Sequence, residues 1–163
     1  MVRATFPSRT APGLPAFSID TPADWTVVPA SGALLAVVGP SAPGAFRPNI
    51  TVATQRDMAT ASIDEVADAL LLDIKTATGE LKLAGDWSTE VASQPARWQE
   101  FAFVEPLAAT TLFQVQVCLF APFDDAVEVK DLIQIHATCA GDQAPALHRC
   151  LRDTIQSLRF DAV

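Results

Sequence analysis

Ser62-Ile63-Asp64-Glu65-Val66-Ala67-Asp68-Ala69-Leu70-Leu71-Leu72-Asp73-Ile74-Lys75-Thr76-Ala77-Thr78-Gly79 carries the clearest single period in the chain. Ile63, Val66, Ala67, Leu70, Leu71, Ile74 and Ala77 recur at the three-and-four spacing of one helix face. Ser62 with Glu65 has the form of a capping box, the Ser62 hydroxyl accepting from the Glu65 amide while the Glu65 side chain reaches back. Asp64, Glu65 and Asp68 sit near the positive end of the dipole, Lys75 near the other end, and Gly79 supplies a stop. The pattern predicts a helix over 63–78. A helix with one apolar stripe must bury it against another element, and the flanking sequence supplies strands.

Before the helix, Ala16–Asp20, Thr26–Val28, Ala33–Val38 and Asn49–Gln55 read as short strands, the last two separated by the Pro- and Gly-rich loop from Gly39 to Pro48. Ile50, Val52 and Thr54 alternate with Asn49, Thr51 and Ala53, as expected of one buried face. After the helix come Leu81–Ala92, Ala96–Val104, Thr110–Phe120 and Val127–Cys139, with turns at Ser93–Pro95, Pro106–Ala109 and Pro122–Asp125. Strands joined by such short links predict an antiparallel meander. A second helix opens at Gly141-Asp142, with Asp142 as N-cap, Pro145 in the first turn, and Ala144, Leu147, Leu151, Ile155 and Leu158 on its apolar face. The expected fold is α+β, an antiparallel sheet with helices packed on it. Residues 1–15 read as a flexible N-terminal arm with three prolines and no periodicity, and 16–160 as a single domain.

The chain has 163 residues, half of them hydrophobic and 18% charged, a composition that supports a core of ordinary size. Eleven basic against nineteen acidic side chains leave a net charge of −8. That field repels phosphate backbones and anionic lipid, so no nucleic-acid or membrane-surface partner is expected. The N-terminal stretch has no apolar core of a secretory signal, no lipobox cysteine precedes Cys118, and no window approaches the ~20 apolar residues of a membrane span. As written, the sequence predicts a cytoplasmic protein. Three cysteines do not make a disulfide framework, and an odd count leaves at least one free thiol.

Three segments, in this order, carry a family resemblance. Phe17-Ser18-Ile19-Asp20-Thr21-Pro22-Ala23-Asp24-Trp25 resembles the F-x-I/V-x-x-P-x-x-W opening of the PsbP/Mog-like superfamily. Arg47-Pro48-Asn49-Ile50-Thr51-Val52 resembles its asparagine-led strand block, again followed by a helix, and Ser157-Leu158-Arg159-Phe160 resembles the S-F-R-F that closes its final helix. Within the superfamily the chain looks most like the actinobacterial LpqN/LpqT-type domain, over about residues 16–160, but without the signal and lipobox of those lipoproteins. The resemblance implies an αβα sandwich and a non-catalytic binding or accessory role. Other members assist photosystem assembly, bind a small GTPase or act as secretion chaperones. The residues themselves read structurally: Pro22 ends a strand, Trp25 anchors the core or its edge, and Asn49 pairs with a turn backbone.

No catalytic motif is present. His136, Cys139, His148 and Cys150 have the composition of a Cys₂His₂ metal site, but positions three apart on a strand face opposite ways and positions two apart on a helix diverge by about 200°. Neither a metal nor any other cofactor is expected. Cys139 on the apolar strand face and Cys150 on the helix flank are within reach of a disulfide in an oxidising compartment; otherwise both act as small buried hydrophobes. Cys118 shares a more polar face with Gln114 and Gln116. His136, between Gln134 and Thr138, reads as a solvated or sheet-satisfied histidine, and Asp124-Asp125 as turn residues. Arg149, Arg152 and Arg159 read as a solvated helix face.

The remaining signal is apolar. Leu72 lies off the helix stripe, Phe46 and Phe123 fall in loop and turn, and Trp87 and Trp98 stand on middle strands. These five are the candidate ligand- or partner-binding residues, weighed against simple plugging of the sandwich ends. The preferred expectation is a binding or accessory domain holding a protein segment or apolar, lipid-like ligand in a groove between helix 63–78 and the sheet, or on an apolar rim. The alternatives are a small hydrolase built on His136 or Cys118, with a carboxylate beside one of them in a pocket, and a homodimer.

Overall fold

A computed structural model describes Pro7 and residues 13–58, 61–107, 109–123 and 129–161, without the side chains of Asp57 and Met58. Most of the expected arm and the Asp124-Asp125 pair lie outside the described residues; within the arm, Leu14 packs against the core. In chain order the elements are β1 Phe17–Ser18, β2 Thr26–Val27, β3 Leu35–Val38, β4 Asn49–Met58, α1 Ile63–Thr78, β5 Leu81–Val91, β6 Gln94–Glu105, β7 Thr110–Phe120, β8 Val129–Ala140, α2 Ala144–Gln156 and β9 Arg159–Phe160.

The sheet runs β2-β3-β4-β8-β7-β6-β5, every pair antiparallel. The meander is β5 to β8, and β4 closes it by pairing with β8. Alternation sends one set of side chains to each face. Across one face Trp98 stands opposite Val117, Val117 opposite Ile135, Ile135 opposite Val52 and Val52 opposite Leu35. α2 covers this row with Leu151 and Ile155, and Leu158 just beyond the helix joins them, all fully buried in the same cluster. Each such side chain contributes about 1.5–3 kcal/mol, so the main core lies here. The opposite face meets α1 through a smaller cluster of Ala67, Cys118 and Leu132. The result is an α+β fold with an antiparallel sheet between two helices.

α1 occupies the expected range, but its cap differs. Ser62 makes no side-chain capping bond, so only its backbone carbonyl starts the helix, accepting from the Val66 amide. The N-cap of α2 is Gln143, not Asp142. Gln143 Oε1 accepts from the Ala140 amide and its Nε2 donates to the Phe46 carbonyl, closing the corner between β8 and α2. α2 stops at Gln156, because Arg159–Phe160 turns outward to pair with Phe17–Ser18. The expected Ser93–Pro95 turn is a two-residue turn at Ala92-Ser93, both at positive φ (52° and 59°), and Gln94-Pro95 already belong to β6. Trp25 is in the core, lying on Gly39 so closely that a Cβ there would come within 2.7 Å of its ring.

Candidate functional site

α1 seats on β5, β6 and β7 through the small side chain of Ala67, its one fully buried residue. Ile63, Val66 and Leu70 pack beside it but keep part of their surface, and Ala77 is exposed. An amphipathic helix seated on one alanine leaves space where it meets the sheet. An opening of about 480 Å³ lies at its C-terminal end, walled by Leu81, Ala102, Phe103 and Val104 with Lys75 and Lys82 at the rim. A second, of about 260 Å³, lies at its N-terminal end among Ile63, Pro95, Phe120, Phe123 and Lys130. Phe123 is 42% exposed there.

The sheet beneath α1 carries polar side chains in register. Asp86 faces Gln99, Gln99 faces Gln116, and Gln116 faces His136. Gln116 Nε2 donates to Gln99 Oε1 at 2.9 Å, and Gln99 Nε2 reaches Asp86 Oδ2 at 3.5 Å. Arg97 Nε lies 2.6 Å from Asp86 Oδ1 and its Nη1 3.5 Å from Asp64 of α1, joining helix and sheet. Gln116 Oε1 and His136 Nε2 are buried with no partner among the described residues. His136 is therefore neither solvated nor satisfied at that nitrogen, and burial holds its pKa below the ordinary histidine value.

On the α2 side, Glu100 is buried and triply paired. Trp98 Nε1 donates to its Oε1 at 2.9 Å, Arg152 Nε lies 3.2 Å from the same oxygen, and His148 Nε2 lies 2.9 Å from Oε2. Arg152 also stands over Trp87 and Trp98, whose rings stack at 5.8 Å. Arg152 is thus part of a packed latch rather than a solvated face, whereas Arg149 and Arg159 make exposed ion pairs with Asp153 and Asp20. An imidazole on a carboxylate supplies two of the three members of a catalytic triad. No hydroxyl or thiol bonds to His148 among the described residues; its ring also meets Phe113 in a T-shaped contact. The arrangement pins α2 to the sheet.

Sequence reading passed over Glu100. Two signals mark it: its alternation with Trp98 on a strand, and the four-residue spacing of His148 and Arg152 on a helix flank.

The five candidate residues are not brought together. Phe123 lines the 260 Å³ opening; Phe46 lines a separate recess of about 340 Å³ with Leu112 and Thr110. Leu72 is 61% exposed on the outer surface of α1. Trp98, a candidate binding residue, is 1% exposed inside the core with half-buried Trp87 on it. Burial also raises the thiols, Cys118 to about 12 and Cys139 to about 11. All three cysteines are free, and no metal-holding group of three or more His, Cys, Asp or Glu is found among the described residues. No described helix is long and apolar enough to cross a membrane.

No protein-family model matches the chain, and no curated protein matches it. Solved structures do. The chain is similar to LpqN of Mycobacterium tuberculosis, involved in cell envelope biogenesis (TM-score 0.75, 15% identity, covering 94% of this chain and 88% of that one). It is similar to the cyanobacterial PsbP of Synechocystis sp. PCC 6803 (0.56, 10%, 99% of each) and to the Saccharomyces cerevisiae Ran-binding protein Mog1p (0.51, 10%, 90% and 96%). Identities this low establish architecture, and together with the three ordered motifs they give one conclusion: the chain has the PsbP/Mog-like fold.

Proposed function

We propose that this protein is a non-catalytic binding domain whose groove between α1 and the sheet holds a protein segment or a lipid-like ligand. The observation that carries the reading is the incomplete seating of α1: one buried alanine, with apolar openings at both helix ends. α2, by contrast, buries Leu151, Thr154 and Ile155 and is pinned by Glu100. The structural neighbours named for envelope biogenesis and Ran binding support an adaptor- or chaperone-like role, associated with secretion or the envelope. Catalysis at Cys118 or His136 is disfavoured, because burial suppresses the thiolate of the first and no described carboxylate pairs with the second.

The test is saturable binding of an apolar fluorescent probe. Val104→Glu and Phe123→Glu, each placing a charge at one opening, weaken it at least tenfold where that end is used. Non-saturable binding, or binding untouched by both substitutions, overturns the reading. A homodimer is a second reading, supported by the eleven-residue β5 lying at the sheet edge with one side unpaired among the described residues. Light scattering at two concentrations decides it.

A further inference from the structure

We propose that the opening at the N-terminal end of α1 is a site for a small amphipathic monocarboxylate, its head on the Lys130 ammonium and its tail along Phe120, Phe123 and Ile63. The proposal rests on the binding reading above and names the ligand class for one end of the groove.

Among the described residues two charged side chains are buried, Glu100 and Lys130. Their surroundings differ. Glu100 has an indole, an imidazole and a guanidinium. Lys130 is 7% exposed; its Nζ donates to the Ala61 carbonyl and lies 3.8 Å from the centre of the Phe120 ring and 5.9 Å from that of Phe123. No described carboxylate pairs with it. On the same face of the sheet the half-buried Arg97 guanidinium does have a carboxylate, Asp86 at 2.6 Å.

A buried ammonium without a counter-charge is unfavourable. Among the described residues, a carbonyl and a ring face leave one of its three N–H donors without a strong acceptor, and the side chain lines the opening. One positive charge in an apolar wall suits a monoanion; a dianion would bring its own uncompensated charge. At roughly 30 Å³ per heavy-atom group, the share of a water in the liquid, the 260 Å³ space takes about eight or nine groups, the length of octanoate.

The test is an NMR titration of the full chain with octanoate and, separately, with 1-octanol at neutral pH. Octanoate is expected to saturate, shifting resonances of Ile63, Phe120 and Phe123, with octanol at least tenfold weaker. Lys130→Met lowers octanoate affinity at least tenfold and leaves octanol unchanged, while Lys130→Arg stays within threefold of the parent. The octanol arm and Lys130→Arg carry the test if Lys130→Met does not fold. Equal affinity for octanoate and octanol, or indifference to Lys130→Met, overturns the carboxylate site and leaves the groove standing. Loss of the apolar probe as well removes both. Asp57 faces Lys130 in the β4–β8 register, so Asp57→Asn is included: affinity within threefold is expected. A tenfold gain assigns the ammonium to the chain's own carboxylate and overturns the proposal. A short peptide with a free C-terminus that binds more tightly than octanoate does so too.

Discussion

Glu100 Oε2 lies 2.9 Å from His148 Nε2, and this contact, between residues 48 positions apart, ties α2 to the inner face of β6. Because Arg152 and the Trp98 indole share the other oxygen, removing the carboxylate strands three donors. Glu100→Ala is expected to lower stability by about 2–4 kcal/mol, within the range for breaking a buried charged network. Glu100→Gln, which keeps an acceptor for the indole, loses less. Urea denaturation of the two variants checks the order; equal losses would show that shape rather than charge holds the latch.

His136 predicts a pH effect. Burial lowers its pKa in the folded state below the unfolded value of 6.5, so below that value the unfolded chain binds the proton more readily. The His136 contribution to stability is therefore fully present above pH 6.5 and is lost as pH drops toward the depressed folded value. His136→Gln removes this contribution while leaving the carboxylates common to both proteins. Its loss of stability between pH 7 and pH 5, followed by thermal melts, is expected to be smaller than that of the parent.

What was readable in the sequence was local. The 63–78 stripe gives α1 because a three-and-four period has one helical meaning, and Ile50 and Val52 give a buried strand face by alternation. The caps were not readable, since Ser62 and Asp142 are good capping residues that geometry leaves unused in favour of a backbone carbonyl and Gln143. Nor was the meeting of Glu100 with His148, which depends on α2 crossing one face of the meander. Of the five candidate residues, Phe123 lines the opening at the N-terminal end of α1, whereas Trp98 is hidden because its face of β6 points at α2. A lone lysine near a strand end has no sequence pattern, so only burial marks Lys130.

The cysteines should react in order of burial. Cys118, pushed up to about 12, and Cys139, pushed up to about 11, are buried, while Cys150 is partly exposed and raised less strongly. At pH 8 the thiolate of Cys118 is on the order of one part in ten thousand. Treatment with a thiol-reactive disulfide followed by mass spectrometry is expected to label Cys150 first and Cys118 only on unfolding. Early labelling of Cys118 would mean that α1 opens readily from the sheet, since Cys118 lies beneath Ala67.

Gly85 is required by Trp87. A Cβ at this position would stand 2.6 Å from the Trp87 ring, just past a shift of the β5–β6 register between Leu83 and Gly85. Gly85→Ala must therefore move the ring, and with it the stack on Trp98 and the Arg152 guanidinium above both. The expected loss is about 1–3 kcal/mol, the usual range for overpacking, with a weakened near-ultraviolet signal from the coupled indoles. Gly32→Ala serves as the contrast. A Cβ there meets nothing within 4 Å, but its φ of +77° strains the backbone, so it should cost stability while leaving the indole signal intact. If both variants keep that signal, the Trp87 ring is free to swing away, and the Trp87–Trp98 stack contributes little to holding β5 at the sheet edge.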